Sequence, residues 1–533
     1  MSDTPGSPPA ATPAGERPGQ AAGQGLQFDL VRWPRPLAQR HRALAGVDEA
    51  GAWHLLADRA PDLLLLQMAE ARLGEALRWQ RCSAAALDAW LAAGDLGGRA
   101  LDAVEAVHGL AAHDAGPNGA GDGAGELTLA ALTAESSPAV RLLDAVLLDA
   151  LADGASDIHL EMQPRGAVLR LRIDGVMQAM RRVDGAALAE QLVSRLKVLA
   201  ELDIGERRLP QDGRFKRRVG AGAQGREIDF RLSIMPSVWG EDAVVRVLDR
   251  SAVANGPAGQ STLTLTALGF DAALRDTLLQ LARAPHGMLL VTGPTGSGKT
   301  TTLYAALAEI HTGREKIITI EDPVEYQLEG VVQIPVNERK GLSFARGLRS
   351  ILRHDPDRVM VGEIRDAETA QIAVQAALTG HLVFSSVHAN NAFDVIGRFM
   401  HMGLDLYNVV AALNAVLGQR LMRQVCKACA EPVAATADEL LRLGEAPDAR
   451  VLLRRGAGCP SCHHSGYRGR RAVAELLRLD DGLRDLIAAR APLSAIKQAA
   501  RERGMQSLHT VALAAVRAGF TTFEEMDRVV VDA

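Results

Sequence analysis

The stretch Val291-Thr-Gly-Pro-Thr-Gly-Ser-Gly-Lys-Thr-Thr-Thr-Leu303 decides how this chain of 533 residues is organised. It fits the pattern G-x-x-x-x-G-K-[ST] without a mismatch. The apolar run Met288–Thr292 before it predicts a buried strand, and the Ala/Leu-rich segment Thr301–Ile310 after it predicts a helix. Because a strand, a glycine-rich loop and a helix follow in that order, the stretch indicates a phosphate-binding loop (P-loop) rather than an idle glycine turn.

Each residue type in this loop contributes to the binding of phosphate or Mg²⁺. The glycines let backbone N–H groups curl around phosphate oxygens, which side chains would otherwise block. The helix that begins near Lys299 points its positive end at the phosphates. Lys299 is expected to reach the β- and γ-phosphates, and the hydroxyl of Thr300 to ligate Mg²⁺. The residues predicted to contact the nucleotide are Gly293, Pro294, Thr295, Gly296, Ser297, Gly298, Lys299, Thr300 and Thr301.

Further apolar runs lie at Ile317–Ile320, Arg358–Val361 and Leu382–Val387, and helical patterns separate them. This alternation predicts a mostly parallel sheet with helices on both faces. In such a sheet the active residues gather at the carboxyl ends of the strands. The residues that follow each run are therefore candidate site residues.

An acidic cluster follows the first of these runs, in Thr319-Ile-Glu-Asp-Pro-Val-Glu-Tyr326. Glu321, Asp322 and Glu325 are expected beside the γ-phosphate of a bound nucleotide. A carboxylate there can orient or deprotonate the attacking water. Because acids are common on surfaces after a strand, the cluster by itself is a weak signal.

The next two runs also end in functional residue types. The segment Val359-Met-Val-Gly-Glu-Ile-Arg-Asp366 is an apolar strand that ends in an acid, Glu363. This is the Walker B pattern, in which the acid holds Mg²⁺ through water. His381 precedes the next predicted strand, Leu382–Val387, and His388 follows that strand. His388, at the carboxyl end, is better placed to sense the γ-phosphate and couple it to movement.

The chain has five cysteines, and four of them form two C-x-x-C pairs, Cys426/Cys429 and Cys459/Cys462. Two such pairs supply four soft thiolates for a structural zinc ion with no open coordination position. The alternative is four free thiols. The remaining cysteine, Cys82, is interpreted as a small buried hydrophobic residue.

Composition limits the class of protein. The net charge is −5 and aromatic residues make up 4% of the chain, which gives no reason to expect nucleic-acid binding. The N-terminus lacks the basic region of a secretory signal, and no stretch is apolar enough to span a membrane. We therefore expect a cytoplasmic protein that touches membranes only through partners.

Composition and periodicity divide the chain into segments. The helical prediction near the N-terminus depends on apolar spacing in Ala52–Leu66, Leu64–Trp79 and Ala84–Leu96. The predicted segments are a disordered tail (1–26), a small helical N-terminal module (27–110), a flexible linker (111–135), an α+β middle domain (136–255), a P-loop domain (264–425), a tetracysteine zinc subdomain (426–470) and a C-terminal helical region (471–533).

The middle domain contains four further candidate site residues, for which a role outside the site is the favoured interpretation from spacing alone. Asp157 and His159 lie in Ala155–Glu161, where a strand is predicted to begin, and local turn structure is the favoured interpretation for both as candidate site residues. Arg214 ends the segment that begins at Arg207, and Arg231 lies on a predicted strand. From spacing alone, a solvated basic face is the favoured interpretation of these two arginines.

The order of the P-loop, the Thr319–Tyr326 acidic box, Val359–Asp366 and Thr379–Asn390 resembles the secretion ATPase superfamily. That superfamily drives type II secretion, type IV pilus assembly and retraction, and type IV secretion. The tetracysteine segment narrows the resemblance to the type II secretion and pilus assembly branch. Ala155–Glu161, Arg207–Arg214 and Gly466–Arg470 match that branch too, so the resemblance covers about Ser136 to Thr522.

The resemblance implies a RecA-like P-loop domain, a preceding PAS-like α+β domain and a homohexamer with nucleotide at subunit clefts. Glu321 matches the catalytic glutamate of the family, Glu363 its Walker B acid and His388 the second histidine of its His box. Arg214 and Arg231 match residues that close over the phosphates. The implied cofactors are ATP, Mg²⁺ and Zn²⁺.

The implied function is a cytoplasmic motor ATPase that drives pseudopilus assembly and protein export by type II secretion; the alternative is pilus extension. The N-terminal module is expected to dock on the cytoplasmic domain of an inner-membrane protein, which makes the association with the membrane peripheral. Arg72-Leu-Gly74 faintly resembles the cyclic-dinucleotide-binding domain of some pilus motors. Rivals of other classes are a DNA-translocating ATPase and a regulatory protein that holds ATP without turnover.

Overall fold

The computed structural model describes residues 27–28, 33, 38, 41–48, 52–61, 63–73, 77–83, 87, 126–127, 137–220, 225–249 and 263–530. They fall into two compact units that divide after residue 247, except that residues 174–176 group with the second unit. The predicted disorder of residues 1–26 lies outside this part of the chain. Among the described residues, no helix combines the length and the apolarity needed to cross a lipid bilayer.

The elements are numbered in chain order. The first unit contains β1 (Gln27–Phe28), β2 (Ala43–Val47), β3 (Trp53–Ala57), α1 (Leu63–Leu73), β4 (Leu77–Arg81), β5 (Glu126–Leu127), α2 (Pro138–Ala152), β6 (Asp157–Gln163), β7 (Gly166–Ile173), β8 (Val176–Asp184), α3 (Ala186–Leu199), β9 (Gln211–Val219), β10 (Arg226–Ser237) and β11 (Gly240–Leu248). The second contains α4 (Ala272–Ala282), β12 (Gly287–Thr292), α5 (Lys299–Ile310), β13 (Ile317–Glu321), β14 (Val332–Pro335), α6 (Phe344–Ile351), β15 (Arg358–Val361), α7 (Ala367–Leu378), β16 (Leu382–Val387), α8 (Asp394–His401), α9 (Leu406–Ala412), β17 (Leu413–Val425), β18 (Ala430–Ala434), α10 (Ala437–Leu443), β19 (Leu452–Gly456), β20 (Tyr467–Arg478), α11 (Asp481–Ala488), α12 (Leu493–Glu502), α13 (Leu508–Arg517) and α14 (Phe523–Val529).

The N-terminal module is built on a sheet, which corrects the all-helical prediction. Its strands lie in the order β1-β2-β3-β4. The helical interpretation is wrong for Trp53–Ala57 and Leu77–Arg81, which are strands, whereas α1 confirms a helix within Leu64–Trp79. The error arose because a short apolar run fits a strand and a helix equally well. The third predicted helix, Ala84–Leu96, lies outside the described residues apart from Leu87.

The middle domain has the predicted α+β character. Its sheet has the order β5-β9-β10-β11-β6-β7-β8, and α2 and α3 contribute to a core of buried aliphatic residues. Asp174 and Gly175 join β7 to β8, and both residues have positive φ, as a two-residue hairpin turn requires. Strand β5 pairs in parallel with β9. Glu126 and Leu127, which the sequence assigned to a flexible linker, therefore belong to this sheet.

A sheet in the order β14-β13-β15-β16-β12-β17-β20 organises the second unit. The pairs from β14 to β17 are parallel and β20 is antiparallel, which confirms the predicted mostly parallel sheet. Alternate residues of β12 enter different cores: Met288 and Leu290 pack in one, Leu289 and Val291 in the other. Helices therefore cover both faces, and the P-loop strand lies inside the sheet between β16 and β17.

The sheet extends beyond the predicted domain end at residue 425. Strand β17 pairs with β20, so the four-cysteine segment is an excursion between two neighbouring strands. Within it, β18 and β19 form a two-stranded antiparallel sheet. The predicted boundary between residues 470 and 471 falls inside β20, and the helical C-terminal region begins only at α11.

The buried carboxylate of Glu525 holds α14 against β17. Its two oxygens accept hydrogen bonds from the backbone N–H and Nε of Arg423, at 2.8 and 2.9 Å, and from Nε and Nη2 of Arg528, at 2.8 and 2.6 Å. Burial opposes the ionised form, but the hydrogen bonds and charges of the two arginines outweigh it and lower the pKa of Glu525.

We expect Glu525→Gln to lower the free energy of unfolding by about 3–5 kcal/mol near neutral pH, because it leaves buried guanidinium charge without its carboxylate. Since the folded pKa lies below the ordinary value of about 4.3, the stabilisation is fully present above that value. It is lost as the pH falls through the folded pKa. Thermal unfolding of the wild type and of Glu525→Gln, measured from neutral pH down to below the folded pKa of Glu525, gives the size of the effect. The exposed neighbour Glu524→Gln is the control, and a difference that does not shrink in acid contradicts the ionic explanation.

Candidate active site

The loop between β12 and α5 needs glycine at two of its positions for steric reasons. Gly293 has φ of 149°, and a Cβ there would lie 2.4 Å from the backbone oxygen of Gln419. Gly298 has φ of 83°, and a Cβ there would lie 3.0 Å from Nε2 of the same residue. The loop is therefore packed tightly against β17, with its exposed turn at Pro294–Gly296.

Lys299 is buried at the first position of α5. Its Nζ donates hydrogen bonds to the backbone oxygens of Gly293 at 2.9 Å and Pro294 at 3.1 Å. Burial lowers its pKa, the nearby carboxylate of Glu363 opposes the shift, and Arg420 adds to it. The ammonium group thus lies within the concave loop, where an anion would relieve the cost of burying its charge.

Other groups of the loop also fit a phosphate. Ser297 is buried, and its Oγ has no hydrogen-bond partner among the described residues. Thr300 and Thr301 are half-buried in the first turn of α5. A helix N-terminus, a lysine and an unsatisfied hydroxyl are the donor set that binds phosphate oxygens.

Gln419 of β17 supports the loop from behind, and sequence reasoning missed it. Its Nε2 donates to the backbone oxygen of Ser297 at 2.7 Å, and its Oε1 accepts from the hydroxyl of Thr302 at 2.8 Å. The next residue, Arg420, donates to the backbone oxygen of Asn390 at 2.6 Å. Because Gln419 lies more than a hundred residues from both loop partners, no local signal could have identified it.

Glu363 and His388 meet at the carboxyl ends of β15 and β16. The Nε2 atom of His388 lies 3.1 Å from one oxygen of Glu363, and Arg365 bonds to the other. Burial opposes ionisation of Glu363, but the hydrogen bond and charge of Arg365, with help from His388, lower its pKa. The structure therefore brings an ionised acid and a histidine together near Lys299. His381 lies at the opposite end of β16, against the backbone oxygen of Ala376.

Glu321 ends β13 and is 2% exposed. Tyr304 donates a short hydrogen bond to its Oε2, while Thr319 and Gln333 donate to its Oε1 at 2.5 and 3.1 Å. Tyr304 lies on α5, one turn after Thr300. Sequence reasoning missed these three donors, which hold the carboxylate in place and occupy both of its oxygens.

The acidic residues after β13 do not form one cluster. Asp322 is 42% exposed in its side chain and lies 3.7 Å from Arg365, whereas Glu321 is buried. Glu325 contributes its backbone N–H to the hydroxyl of Tyr304 at 3.3 Å. Only Asp322 therefore faces the group formed by Arg365 and Glu363.

Arg214 and Arg231 are direct partners in the register of β9 and β10, so they lie side by side on one face of the middle-domain sheet. Phe215 and Phe230 occupy the other face, with stacked rings 4.9 Å apart. Both arginines belong to the first unit, whereas the P-loop belongs to the second. The register, which places two cationic groups together, was not evident from the sequence.

Asp157 and His159 lie on β6, which confirms the strand predicted to begin there and corrects the interpretation of both as turn residues. Asp157 is buried and accepts a hydrogen bond from Nε of Arg246 at 2.9 Å. Burial lowers the pKa of His159. Asp157 thus has a structural partner on the neighbouring strand β11.

The four cysteines of the two C-x-x-C pairs come together, and their sulfur atoms all lie within 4.8 Å of one another. The separations are 3.9 Å for Cys426–Cys459, 3.8 Å for Cys429–Cys462 and 3.7 Å for Cys459–Cys462. Four sulfurs about 2.3 Å from a tetrahedral zinc ion would be roughly 3.8 Å apart. The backbone N–H of Cys459 also donates to the sulfur of Cys462 at 3.2 Å. Cys82 is buried, as predicted.

The chain is similar to known proteins over most of its length. The family described as "Type II/IV secretion system protein" matches residues 133–528. A type II secretion system ATPase E of Vibrio cholerae is 45% identical over 395 residues, which are 74% of this chain and 76% of that protein. A type II secretion system protein E of Pseudomonas aeruginosa is 47% identical over 395 residues, again 74% of this chain and 76% of that protein. A type IV pilus assembly ATPase, PilB, of Myxococcus xanthus is 44% identical over 400 residues, 74% of this chain and 68% of that protein.

Solved structures are similar in fold. The ATPase DotB of Legionella pneumophila has a TM-score of 0.52 at 19% identity, covering 72% of this chain and 94% of that one. DotB of Yersinia pseudotuberculosis has a TM-score of 0.50 at 19% identity, covering 73% and 92%. At this identity the likeness concerns the fold alone, and it confirms the predicted RecA-like class.

Proposed function

This chain belongs to the type II/IV secretion system protein family, and from that membership we propose that it is a motor that hydrolyses ATP to drive pseudopilus assembly and protein export by type II secretion. The observation that carries the proposal is the meeting of Glu363 and His388 near Lys299, beside a P-loop whose donors fit phosphate. Two relatives named for type II secretion are 45% and 47% identical to this chain over 395 aligned residues.

The residues divide the work of hydrolysis. Bound ATP supplies the phosphoanhydride bond, and Mg²⁺ supplies charge that screens the phosphates. Lys299 would exchange its loop carbonyls for phosphate oxygens, and Thr300 and Glu363 are the residues that would hold the magnesium ion. His388 senses the presence of the γ-phosphate through its contact with Glu363.

Glu321 positions and deprotonates the attacking water. Its Oε2 accepts only from Tyr304 and keeps a second acceptor site, but Glu321 is 2% exposed, so a water reaches it only if the neighbouring groups move. Tyr304 lies on the helix that begins at Lys299, so nucleotide binding can move this donor. Arg214 and Arg231, side by side in their sheet, are the cationic groups that the family resemblance assigns to the phosphates.

The four cysteines are the residues that would hold a structural zinc ion. Their sulfur separations match tetrahedral coordination, and all four ligand positions are filled by protein. The ion would fix the excursion between β17 and β20.

We expect Cys459→Ser to abolish zinc binding and to lower stability by several kcal/mol, because metal affinity at a structural site is folding free energy. Elemental analysis and thermal unfolding of purified protein measure the two effects. Cys82→Ser, which removes a cysteine outside the cluster, should leave the zinc content unchanged. A wild-type protein that holds no zinc rejects this assignment.

The motor is proposed to act as a homohexamer on the cytoplasmic face of the inner membrane. Its N-terminal module docks on the cytoplasmic domain of an inner-membrane secretion protein. The net charge of −5 supports a protein partner for this motor, because nucleic-acid binding is not expected of an acidic chain.

Pilus extension is a second candidate, and the 44% identity to the Myxococcus xanthus pilus ATPase favours it. Co-purification of the full chain with the inner-membrane proteins of its own cell separates the two. Recovery of a type II secretion component supports the first function, and recovery of only a pilus component supports the second.

Phosphate release by the full-length protein tests the central activity. Magnesium-dependent turnover supports a motor, whereas ATP binding without turnover indicates a regulatory protein. Stimulation by DNA that disappears at raised salt would indicate a DNA translocase instead.

A further inference from the structure

The second unit contains a cavity of about 660 Å³ beside the segment that follows His388. We propose that this cavity, here called the C-terminal pocket, binds a small organic anion with an apolar portion, at a site separate from the P-loop. The residues on which the argument depends are Phe393, Arg420, Lys497, Arg501, Met505 and Leu508.

Three cationic groups that form no direct ion pair converge on the C-terminal pocket, and the buried Glu475 attracts one of them, Arg420, from beyond ion-pair distance. Within the described part of the chain, no carboxylate oxygen lies within ion-pair distance of Arg420, Lys497 or Arg501. Arg420 donates instead to the backbone oxygens of Gln419 and Asn390, at 3.1 and 2.6 Å. Lys497 and Arg501 are four residues apart on α12, so they share one face of that helix.

The acidic side chains of the pocket do not cancel this charge. Glu475 is buried, and its oxygens accept the backbone N–H groups of Ala392 at 3.0 Å and Leu508 at 3.3 Å. Asp394 is the other acid in the wall. Two acids therefore face three cations, and the buried one already serves two backbone donors.

Part of the remaining wall is apolar, with Phe393, Met505 and Leu508, and the rest includes polar side chains: Asn390, Asn391, Ser507 and His509. The Nζ atom of Lys497 lies 6.0 Å from the centre of the Phe393 ring, so the cationic and apolar parts are adjacent. The volume falls in the usual range for small-molecule sites, roughly 300–1,000 Å³. A bare inorganic phosphate would satisfy the cations and leave the apolar wall in water, so the expected ligand is an organic anion.

Occupancy of the pocket is connected to the P-loop through β17. Arg420 holds the backbone oxygen of Asn390, two residues after His388, and its neighbour Gln419 holds the P-loop at Ser297. An anion that attracts the Arg420 guanidinium would therefore act on both segments. This coupling, unlike the binding itself, rests on the proposed function.

Calorimetric titration of full-length protein with phenyl phosphate tests the site, with the P-loop first saturated by a non-hydrolysable ATP analogue and Mg²⁺. We expect saturable binding of one phenyl phosphate per chain, and at least tenfold weaker binding of inorganic phosphate. The double variant Lys497→Met/Arg501→Met should bind phenyl phosphate at least tenfold more weakly. Arg478→Met, which removes an exposed arginine outside the pocket, should bind it as the wild type does.

The same titration without the analogue separates the two proposals. Phenyl phosphate bound only when the analogue is absent would occupy the P-loop and overturn the pocket. Absence of saturable binding in either state, or undiminished binding by the double variant, overturns it as well. If the double variant melts at a lower temperature than the wild type, the single variant Arg501→Gln, at an exposed position, replaces it. An affinity that is the same with and without the analogue rejects the coupling, because linkage between two sites is reciprocal.

Discussion

Lys299→Ala should reduce the rate of ATP hydrolysis by roughly 10²–10³-fold, the usual effect of removing one preorganised donor that stabilises charge in a transition state. The ammonium group is already buried inside the loop, 2.9 Å from the backbone oxygen of Gly293, so a phosphate oxygen meets it without further desolvation. Phosphate release at saturating Mg²⁺ and ATP measures the effect.

The fold should survive this substitution. Lys299 contacts carbonyls of its own loop rather than a distant element, so the melting temperature of the variant should stay close to that of the wild type. Lys340→Ala, which removes an exposed lysine, is the matched control and should hydrolyse ATP normally. A folded Lys299→Ala protein that hydrolyses ATP at the wild-type rate would show that the P-loop assignment is wrong.

Glu321→Gln should lower kcat by roughly 10²–10⁴-fold, the range expected for loss of a general base. Affinity for ATP should remain, because the phosphate-binding groups lie on the P-loop and not on β13. The amide keeps the size of the carboxylate, and its oxygen can still accept a hydrogen bond from Tyr304 or Thr319. Single-turnover hydrolysis and equilibrium binding of an ATP analogue separate chemistry from binding.

Glu329→Gln provides the comparison for Glu321, since Glu329 is an exposed acid of the same segment. It should leave kcat unchanged. Wild-type turnover by Glu321→Gln would mean that this buried carboxylate only joins β13 to α5 and β14 through Tyr304 and Gln333. The water would then be activated by another acid, and Glu363 is the remaining ionised carboxylate beside His388.

The P-loop and the C-x-x-C pairs could be predicted from sequence because the residues of each motif lie close together in the chain. The P-loop needs a strand, a few glycines, a lysine and a helix start in one stretch, and the structure has them at β12 and α5. The two C-x-x-C pairs each bring two sulfurs together through one tight turn. The alternation of buried runs with helices also predicted the parallel sheet, because parallel neighbours require a crossover between them.

Elements with weak local signals were missed or misassigned. Strand β9 has the sequence Gln-Asp-Gly-Arg-Phe-Lys-Arg-Arg-Val, and its many charges hide the alternation of buried Phe215 and Arg217 with exposed residues. Strand β3 was assigned to a helix because a short buried run has no distinctive period. In both cases pairing with neighbouring strands decides the conformation, and the local sequence does not report that pairing.

The P-loop, the acid and histidine at successive strand ends and the four thiols were predictable from residue type and short spacing. Their supporting side chains became visible only in the folded chain: Gln419 behind the loop, Tyr304 and Gln333 around Glu321, and the C-terminal pocket. These groups come from segments far apart in the chain and meet because the sheet order places β17 beside β12 and β14 beside β13. Strand order depends on the packing of the whole domain, so no stretch of residues encodes it alone.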